Sequence, residues 1–529
     1  MIILVNPVGD FPLNDDWIYG KMVKILTEQH TLDFKLPTQS PALTQVFYGA
    51  IFVKLFGFSY TVLRISVLIL GWLGILVFYK ILIELEIDSV KAFLGALLLC
   101  INPFYFHLAH SFMTDVPFTV FALFSLYFFI KGLKQRNQSL FCIGIFFICL
   151  TVLIRQLGII LAISAAVGLL FRYPFSFKVL IITLLTIILP IFCYSFYFYL
   201  LNLYGIVPEQ FTEKNNLLLG VILNPSLPHL VFFFKFALRV PLYLTIFVIP
   251  IIILSKPEWI SNKIKMVSFI SISVTVIFAI YLLVFIQPNF LNIDNYILSL
   301  GMGPLTLADT YLWGYKNYPH SSIIWLSILS IIGIATGMTI ITWLLNGIII
   351  FIKKNFNSNI FYINILLLIF SILYLIPLCL IGYFDRHLTI IYIPLIILIL
   401  YNTTFQYSKP LLYTALFIIV LQMYFCIGAT HDYLEWNRSR WQAINDLQAQ
   451  GIDYQQIDCG LECNCFYGYT DISFQTDHPR KSWWWVRDDK YVITFGEVNG
   501  FQLHKEYNFN YWLPPATGKI CVLKRNDIK

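Results

Sequence analysis

Long apolar runs separated by short polar stretches dominate the sequence from Tyr60 to Gly428. A helix needs roughly 20 residues to cross the hydrocarbon core of a bilayer, which is about 30 Å thick. Barrel strands alternate apolar and polar positions, and these runs do not. The pattern therefore predicts an all-α polytopic membrane bundle. We predict twelve spans, at about 62–83, 92–109, 116–131, 139–154, 157–171, 179–202, 230–254, 266–286, 322–352, 360–382, 387–401 and 411–428.

Two regions outside these runs are more polar. Residues 1–59 carry apolar residues at helical spacing among charges, which predicts helices that lie along the membrane interface. After Thr430 the sequence becomes charged, aromatic and glycine-containing, and stretches such as Tyr491 to Phe495 alternate like short strands. We therefore predict three domains: a first loop at 1–59, a transmembrane helical domain at 60–428, and a small mixed α/β domain at 429–529.

The charges between the spans predict which side each loop faces, because short cytoplasmic loops carry an excess of Lys and Arg. The loops predicted inside contain Lys131, Lys134, Arg136, Arg172, Lys178, Lys256, Lys263, Lys265, Lys353, Lys354 and Lys409. The loops predicted outside contain Arg155, Lys214, Lys316 and Arg386 beside Asp115, Glu209, Glu213, Asp294, Asp309 and Asp385. Both 1–59 and 429–529 are then extracytoplasmic, in a multi-pass protein of the cytoplasmic (inner) membrane.

The N-terminal loop predicts one further helix. Its polar stretch, from Asp10 to Asp33, has no preceding signal peptide or span to carry it outward. We expect that span either upstream of the printed start or in the short run from Met1 to Val8. The architecture would then have thirteen spans.

The composition favours lipid and argues against nucleic acid. Of the 529 residues, 59% are hydrophobic and 12% are charged, against roughly 45–50% and about 25% in an ordinary soluble domain. The net charge is +7, but the cations are spread between the spans, whereas a phosphate-binding footprint clusters on one face. We expect membrane lipids as partners and no nucleic acid.

Acidic residues at two outer positions are candidates for catalysis. The first is the stretch Asn14-Asp15-Asp16-Trp17-Ile18-Tyr19, and the second is Asp115 at the outer end of a span. A carboxylate held near apolar surface has its pKa raised toward the range of a general base. The alternatives stay open: Asp15 and Asp16 could be solvated loop acids, and Asp115 could cap the helix that continues through Pro117.

Cations near the outer span ends are candidates for binding an anion. They are Arg64, Arg155, and Arg386 with His387. Guanidinium groups hold phosphate through two parallel charge-assisted hydrogen bonds. The alternative for each is snorkelling to the interface, or pairing with an acid such as Asp385.

The polar tail contains a tryptophan run and four cysteines. Trp483-Trp484-Trp485 favours contact with the membrane surface over stacking on sugar rings. The spacing of the cysteines matches no standard zinc site, so in an oxidising compartment we expect disulfides, with the pairing left open. These cysteines are Cys459, Cys463, Cys465 and Cys521.

Several short motifs follow one another in a defined order. They are Asp15-Asp16-Trp17-Ile18-Tyr19, Leu63-Arg64-Ile65-Ser66, Asn102-Pro103, Met113-Thr114-Asp115-Val116-Pro117-Phe118-Thr119 and Asp385-Arg386-His387. Together they resemble the C-type-fold (GT-C) glycosyltransferases. The nearest likeness is to the glycosyltransferase 39 group, which includes proteins similar to dolichyl-phosphate-mannose-protein mannosyltransferases and is related to the lipid A aminoarabinose transferases.

The resemblance implies a polyprenyl-phosphate sugar donor, a lipid, glycan or protein acceptor, direct displacement at the outer face, and no cofactor or catalytic metal. It implies that Asp15 is the general base, that Asp16 replaces the usual glutamate, and that Asp115 orients the acceptor or supports the base. The donor phosphate would bind to Arg64, Arg155 and Arg386, with His387 standing where many relatives carry a tyrosine. Trp17, Tyr19 and Tyr383 would line the substrate.

Two other classes compete with this interpretation. A transporter or flippase of a lipid-linked glycan intermediate would place charges and broken helices near the membrane midplane in two matching halves, whereas the charges here gather at one rim. A non-catalytic partner in envelope polysaccharide assembly would use the tail to dock. The sequence leaves the transferred sugar and the acceptor open.

Overall fold

The computed structural model describes residues 1–32, 36–257, 273, 297–298, 301–318, 323–353, 359–469, 486 and 488–526, and over this range the chain is mostly helical. The helices before residue 255 are α1 (Ile2–Val5), α2 (Asp16–Gln29), α3 (Leu43–Phe56), α4 (Tyr60–Glu84), α5 (Ser89–Cys100), α6 (Pro103–Leu108), α7 (Asp115–Gln135), α8 (Gln138–Val152), α9 (Ile159–Arg172), α10 (Phe177–Leu203), α11 (Glu209–Leu223), α12 (Leu227–Ile246) and α13 (Ile249–Leu254).

The chain from residue 255 onward adds six described helices and all the described strands. The helices are α14 (Ala308–Tyr311), α15 (Ile323–Lys353), α16 (Asn359–Ile381), α17 (Tyr392–Tyr401), α18 (Lys409–Ala449) and α19 (Leu461–Gly468). The strands are β1 (Ser255–Pro257), β2 (Ile297–Leu298), β3 (Gly301–Met302), β4 (Thr403–Phe405), β5 (Ile457–Asp458), β6 (Tyr491–Thr494), β7 (Phe501–Trp512) and β8 (Pro515–Arg525). Short 3-10 turns lie at Gln156–Gly158, Asp385–Ile391 and Tyr454–Gln456.

Six helices within the described residues are long and apolar enough to cross a bilayer, namely α4, α7, α10, α12, the part of α16 from Tyr362, and α18. Shorter apolar helices of 10–17 residues accompany them, among them α3, α5 and α8. The predicted helical membrane bundle is confirmed in this coarser form. The number of twelve spans stays a prediction, and the one at 266–286 lies outside the described residues except for Ser273.

Short polar side chains set where several helices begin. Ser59, Asp88, Asn102, Ser176 and Ser226 each stand immediately before a helix, and their side-chain oxygens accept hydrogen bonds from backbone N–H groups of the first turn. Such caps satisfy donors that the helix itself leaves unpaired. These helices therefore begin at positions that the sequence encodes.

Helix α7 is the most buried of the six candidate spans in the described residues, and α4 and α8 pack against it. Close approach of α4 depends on Gly74, because a Cβ at that position would lie 2.5 Å from Tyr105 Oη and 2.6 Å from a methyl group of Val120. The first residue of α7, Asp115, is buried together with most of this helix.

Helix α18 has 41 residues, and at about 1.5 Å per residue it is roughly twice as long as a bilayer core is thick. It runs without a break across the domain boundary predicted at 429. The sheet packs on its second half, with strand order β5-β6-β8-β7; β5 and β6 are parallel and the other pairs antiparallel. The Asp432 carboxylate joins the two parts by accepting from the backbone N–H groups of Trp512 and Leu513, at 2.8 and 2.9 Å. The tryptophan run at 483–485 lies outside the described residues.

Candidate active site

A cavity of about 370 Å³ opens between the first loop and one end of the bundle. Ligand sites for small molecules commonly have about 300–1,000 Å³. Its walls come from the start of α2, the turn before α9, helix α11, the end of α16, the turn at Asp385–Ile391 and the first residue of α19. The predicted site residues that line it are Asp15, Tyr19, Arg155, Arg386 and His387.

Asp15 lies directly before α2 and presents a carboxylate to this cavity. Its side chain is 37% exposed, and its Oδ2 lies 3.2 Å from Nη2 of Arg386. A carboxylate with this exposure stays accessible to a ligand, because Arg386 occupies only one side of it. Asp15 therefore combines solvent access with a nearby cation.

Arg155 reaches the cavity with its direction set by α7. Its Nη2 lies 2.8 Å from Asp115 Oδ2, and its Nε donates to Thr114 Oγ1 at 2.8 Å. The Asp115 side chain is only 1% exposed and does not line the cavity. Asp115 thus orients Arg155. The guanidinium group of Arg155 has five N–H donors in total, and those not directed to Asp115 or Thr114 can bind a ligand.

Arg386 and His387 come from the turn at Asp385–Ile391. Asp385 is fully buried, and its carboxylate accepts from the backbone N–H groups of Arg386 at 2.8 Å and Ile297 at 2.9 Å. Tyr374 donates its hydroxyl to the carbonyl of His387 at 3.2 Å. These bonds to the backbone fix the turn and leave both side chains directed to the cavity wall.

Lys214 is a site residue that the sequence prediction missed. It lies on α11 and lines the cavity. It interacts electrostatically with Arg386, Arg155 and Asp15. Burial lowers the pKa of Lys214, Arg386 and Arg155 lower it further, and Asp15 opposes the shift. One signal was present in the sequence, because Lys214 is among the few cations in the loops predicted outside.

Apolar residues also line the cavity. They come from α16 and α11 and from near the starts of α2 and α9, at positions where the sequence shows only ordinary hydrophobic side chains. These residues are Ile18, Leu157, Leu218, Pro377, Leu378 and Ile381. Charged and apolar residues that line one cavity suit a ligand that has an anionic head and a hydrocarbon chain.

Asp16 and Arg64 do not line the cavity, although they were predicted to act there. Asp16 is fully buried, and its two oxygens accept from the backbone N–H groups of Leu13 at 2.6 Å and Phe112 at 3.1 Å. Burial raises the pKa of Asp16 to about 7, and Arg64 acts in the opposite direction. Asp16 therefore connects the first loop to the segment before α7.

Arg64 is also fully buried, and its guanidinium group is taken up by the N-terminal segment. It donates to the carbonyls of Pro7 at 3.1 Å and Gly9 at 2.7 Å, and also to the carbonyl of Phe11. An arginine in this position orders the chain before α2. In the structure its contacts are with the backbone of the N-terminal segment, and its predicted contact with a phosphate stays a prediction.

Of the three aromatic residues predicted to line the substrate, Trp17 and Tyr383 lie outside the cavity lining. The Trp17 ring packs against Tyr469, with ring centroids 5.7 Å apart, and the Tyr383 hydroxyl donates to the carbonyl of Phe236 at 3.0 Å. Neither residue lines the cavity, whereas Tyr19 does. Among the described residues, no three His, Cys, Asp or Glu side chains come together in a group that could hold a metal ion.

Comparison with known families gives one match, on the membrane helices. A family model described as dolichyl-phosphate-mannose-protein mannosyltransferase matches residues 43–198. Residues 43–198 carry the sequence pattern of this family. The resemblance seen in the motifs is thereby confirmed for a range that contains Arg64, Asp115 and Arg155 and that lies between Asp15 and Arg386.

Two solved structures are similar to this chain at low identity. The crystal structure of ArnT from Cupriavidus metallidurans in the apo state has 13% identity and a TM-score of 0.37, with 88% of this chain and 82% of that chain covered. The structure of the same protein bound to undecaprenyl phosphate has 15% identity, with the same coverage and TM-score. A comparison with curated protein sequences finds no match.

Proposed function

We propose that this protein is a glycosyltransferase that moves a sugar from a polyprenyl-phosphate donor to an acceptor at the extracytoplasmic face of the cytoplasmic membrane. One observation carries the proposal: the Asp15 carboxylate and three cations, Arg155, Lys214 and Arg386, line the same cavity. Displacement at an anomeric carbon needs a base for the nucleophile and stabilisation of charge on the departing phosphate. The cavity offers both.

Asp15 is the proposed general base. It takes the proton from the attacking hydroxyl or amine of the acceptor as that group forms its bond to the anomeric carbon. The bond from this carbon to the phosphate oxygen breaks, and polyprenyl phosphate leaves with the electron pair. Because Asp15 and Arg386 are 3.2 Å apart, a phosphate held by Arg386 would place its sugar beside the base.

The three cations are the proposed site of the donor phosphate. Arg155 is oriented by Asp115 and Thr114, as its contacts of 2.8 Å with each of them indicate. Preorganised donors stabilise developing charge without having to rearrange during the reaction. The apolar lining residues, among them Leu218, Leu378 and Ile381, would receive the first part of the hydrocarbon chain.

The arrangement of the loops supports the proposed orientation. Asp15, Arg155, Lys214 and Arg386 all come from segments predicted outside. Segments predicted inside contact one another elsewhere: Lys134 lies 3.1 Å from Glu86, and β1 pairs with β4. We therefore propose that the cavity opens outside, in a bundle of twelve or thirteen spans between the loop at 1–59 and the domain at 429–529.

The function is tested with purified protein in lipid nanodiscs. Undecaprenyl-phosphate mannose and undecaprenyl-phosphate aminoarabinose, each labelled in the sugar, are offered together with envelope lipids, glycans and peptides as acceptors. We expect label in an acceptor with the wild type. Asp15→Asn should abolish transfer and retain binding of undecaprenyl phosphate.

The matched control is Asp446→Asn, which removes a carboxylate from the exposed end of α18, where Asp446 pairs with Lys505. This variant should transfer at the wild-type rate. Equal rates for wild type and Asp15→Asn would overturn the role of Asp15. Movement of the labelled lipid across vesicle membranes without transfer would support the flippase alternative instead.

A further inference from the structure

Glu462 links the C-terminal part of the chain to the segment that carries Asp15. It is the second residue of α19, and its side chain is fully buried. Its Oε1 accepts from the backbone N–H of Asn14 at 2.9 Å, across a sequence separation of 448 residues. Because Asn14 and Leu461 both line the cavity, this hydrogen bond lies directly at the wall of the candidate site.

The second carboxylate oxygen of Glu462 is held from the other side. Arg440 Nη1 lies 2.8 Å from Oε2, and Thr306 donates its hydroxyl to the same atom at 2.7 Å. Arg440 is itself fully buried. Burial alone would raise the pKa of Glu462, but Arg440 and the hydrogen bonds bring it below its usual value. Glu462 is therefore a fixed carboxylate with both oxygens engaged.

The backbone at Asn14 requires such support. Its φ is +51°, in the left-handed region that L-residues other than glycine rarely occupy and that asparagine tolerates best. Asp15 follows with right-handed helical dihedrals and opens α2. The direction in which the Asp15 carboxylate leaves the chain thus depends on a turn whose N–H is held by Glu462.

A disulfide spans the start of α19. It joins Cys459 to Cys463, so Glu462 lies inside a short ring. Within that ring, the Leu461 N–H donates to the Thr306 carbonyl at 3.0 Å. The other tail cysteines that the sequence singled out, Cys465 and Cys521, are buried and free. The disulfide limits how far Glu462 can move from Asn14.

We propose that Glu462 is a positioning residue for catalysis: held by Arg440, Thr306 and the Cys459–Cys463 ring, it fixes the turn at Asn14 and so aims Asp15 at the acceptor. The inference rests on the proposed function of Asp15 as the base. It makes the C-terminal domain part of the catalytic apparatus, although Glu462 itself does not line the cavity. A redox dependence follows, because reducing the ring releases the residue that sets the turn.

The variant Glu462→Gln tests this role. Only a carboxylate accepts on both sides, and an amide must turn its NH₂ toward either Asn14 N–H or Arg440. With undecaprenyl-phosphate mannose and undecaprenyl-phosphate aminoarabinose as probes, we expect kcat to fall at least about tenfold while KM for the donor changes less than about threefold. Deuterium uptake at the backbone amides of 11–17 should become faster. Glu506→Gln, at an exposed glutamate paired with Lys519, should change none of these quantities.

If Glu462→Gln does not fold, reduction of the Cys459–Cys463 disulfide tests the positioning role of Glu462 instead. Wild type is treated with a membrane-impermeant reductant, beside Cys459→Ser/Cys463→Ser and the control Cys521→Ser. Reduction should lower kcat in the wild type and in Cys521→Ser, with KM for the donor retained. The double variant should already have the low kcat and should not respond to the reductant.

The outcomes separate this inference from the function on which it rests. Wild-type kcat in Glu462→Gln, or a reduced protein with unchanged kcat, would overturn the positioning role and leave Asp15 as the base. A rise of the donor KM in proportion to the loss would overturn it as well, because Glu462 would then support binding. If the wild type transfers neither sugar and binds no undecaprenyl phosphate, the proposed function itself fails.

Discussion

Two charged clusters join the first loop to the bundle, and they differ in what their side chains contact. The cavity cluster consists of Asp15, Arg155 and Arg386, and the buried cluster consists of Asp16 and Arg64. Both contain acids and arginines from similar places in the sequence. In the cavity cluster, Asp15 pairs with Arg386, Arg155 pairs with Asp115, and all three members of the cluster line open space. In the buried cluster, the charged groups bind the backbone of the chain itself.

The difference assigns a chemical role to Asp15 and a structural role to its neighbour Asp16. A fully buried carboxylate such as Asp16 is closed off from a substrate by the residues around it, and its removal leaves the two backbone N–H donors unsatisfied. The Asp15 carboxylate is 37% exposed and lines the cavity, so it stays accessible to a ligand.

The largest difference is expected between Asp15→Asn and Asp16→Asn. Loss of a general base lowers kcat by about 10²–10⁴-fold, so Asp15→Asn should lose transfer at that scale with little change in the midpoint of thermal unfolding. Asp16→Asn should lower the free energy of unfolding by about 1–3 kcal/mol, because an amide cannot accept at both positions. Transfer rate per folded molecule and nanodisc thermal unfolding measure the two effects. Equal losses of kcat in both variants would remove the distinction between the clusters.

A smaller difference is expected between Arg386→Gln and Arg64→Gln. Hydrogen bonds to charged groups contribute about 1.5–3 kcal/mol, so Arg386→Gln should weaken binding of undecaprenyl phosphate by about 10–100-fold. Arg64→Gln should instead reduce stability, because the carbonyls of Pro7 and Gly9 lose their donor. Binding titration on folded, monodisperse protein distinguishes the two. Weakened binding by a stable Arg64→Gln protein would place Arg64 at the phosphate after all.

The pH dependence of stability should come from the buried cluster. Burial raises the pKa of Asp16 to about 7, above the usual value of about 3.9. Between these values the folded protein binds more protons than the unfolded chain, so the free energy of unfolding should fall as the pH rises from about 4 to about 7. In Asp16→Asn this component should be absent. Unfolding followed across that pH range checks the sign, and a wild type that becomes more stable over the range through Asp16 would refute it.

The smallest effect is expected at Lys214, at the edge of the cavity cluster. It is only partly buried and lies on a helix that is not among the candidate spans. Lys214→Gln should weaken binding of undecaprenyl phosphate by about 2–10-fold, less than Arg386→Gln, because an ammonium group cannot grip phosphate bidentately. Lys316→Gln, at an exposed lysine outside the cavity lining, is the control. A larger loss in Lys214→Gln than in Arg386→Gln would reverse the assigned order of the cations.

The sequence predicted a membrane bundle and part of the site for reasons that are physical. Apolar runs report burial in lipid directly, and charged residues at one rim are rare enough to stand out. The sequence could not separate Asp15 from Asp16, because one step along a helix turns a side chain by about 100°. Only the fold shows which of the two faces the cavity.

Other features depended on contacts between distant segments. Arg64 was assigned to the phosphate by its type and place, and its partners near Pro7 follow from a chain path that no local pattern encodes. Glu462 was invisible as a site residue because its partner Asn14 lies 448 positions away. The disulfide chemistry was expected, whereas its pairing between Cys459 and Cys463 required the structure. Helix α18 extends past the predicted boundary because a change in composition marks the exit from lipid and leaves the helix itself unaffected.

Mass spectrometry of the lipid retained by the purified protein tests the central claim most directly. Wild type is compared with the double variant Arg155→Gln/Arg386→Gln, and both are kept folded by the same nanodisc preparation. We expect a polyprenyl phosphate, with or without its sugar, in the wild type, and its loss from the double variant at unchanged phospholipid content. Equal retention by both proteins, or no polyprenyl phosphate in the wild type even after it is supplied in excess, would show that Arg155 and Arg386 do not bind the donor phosphate.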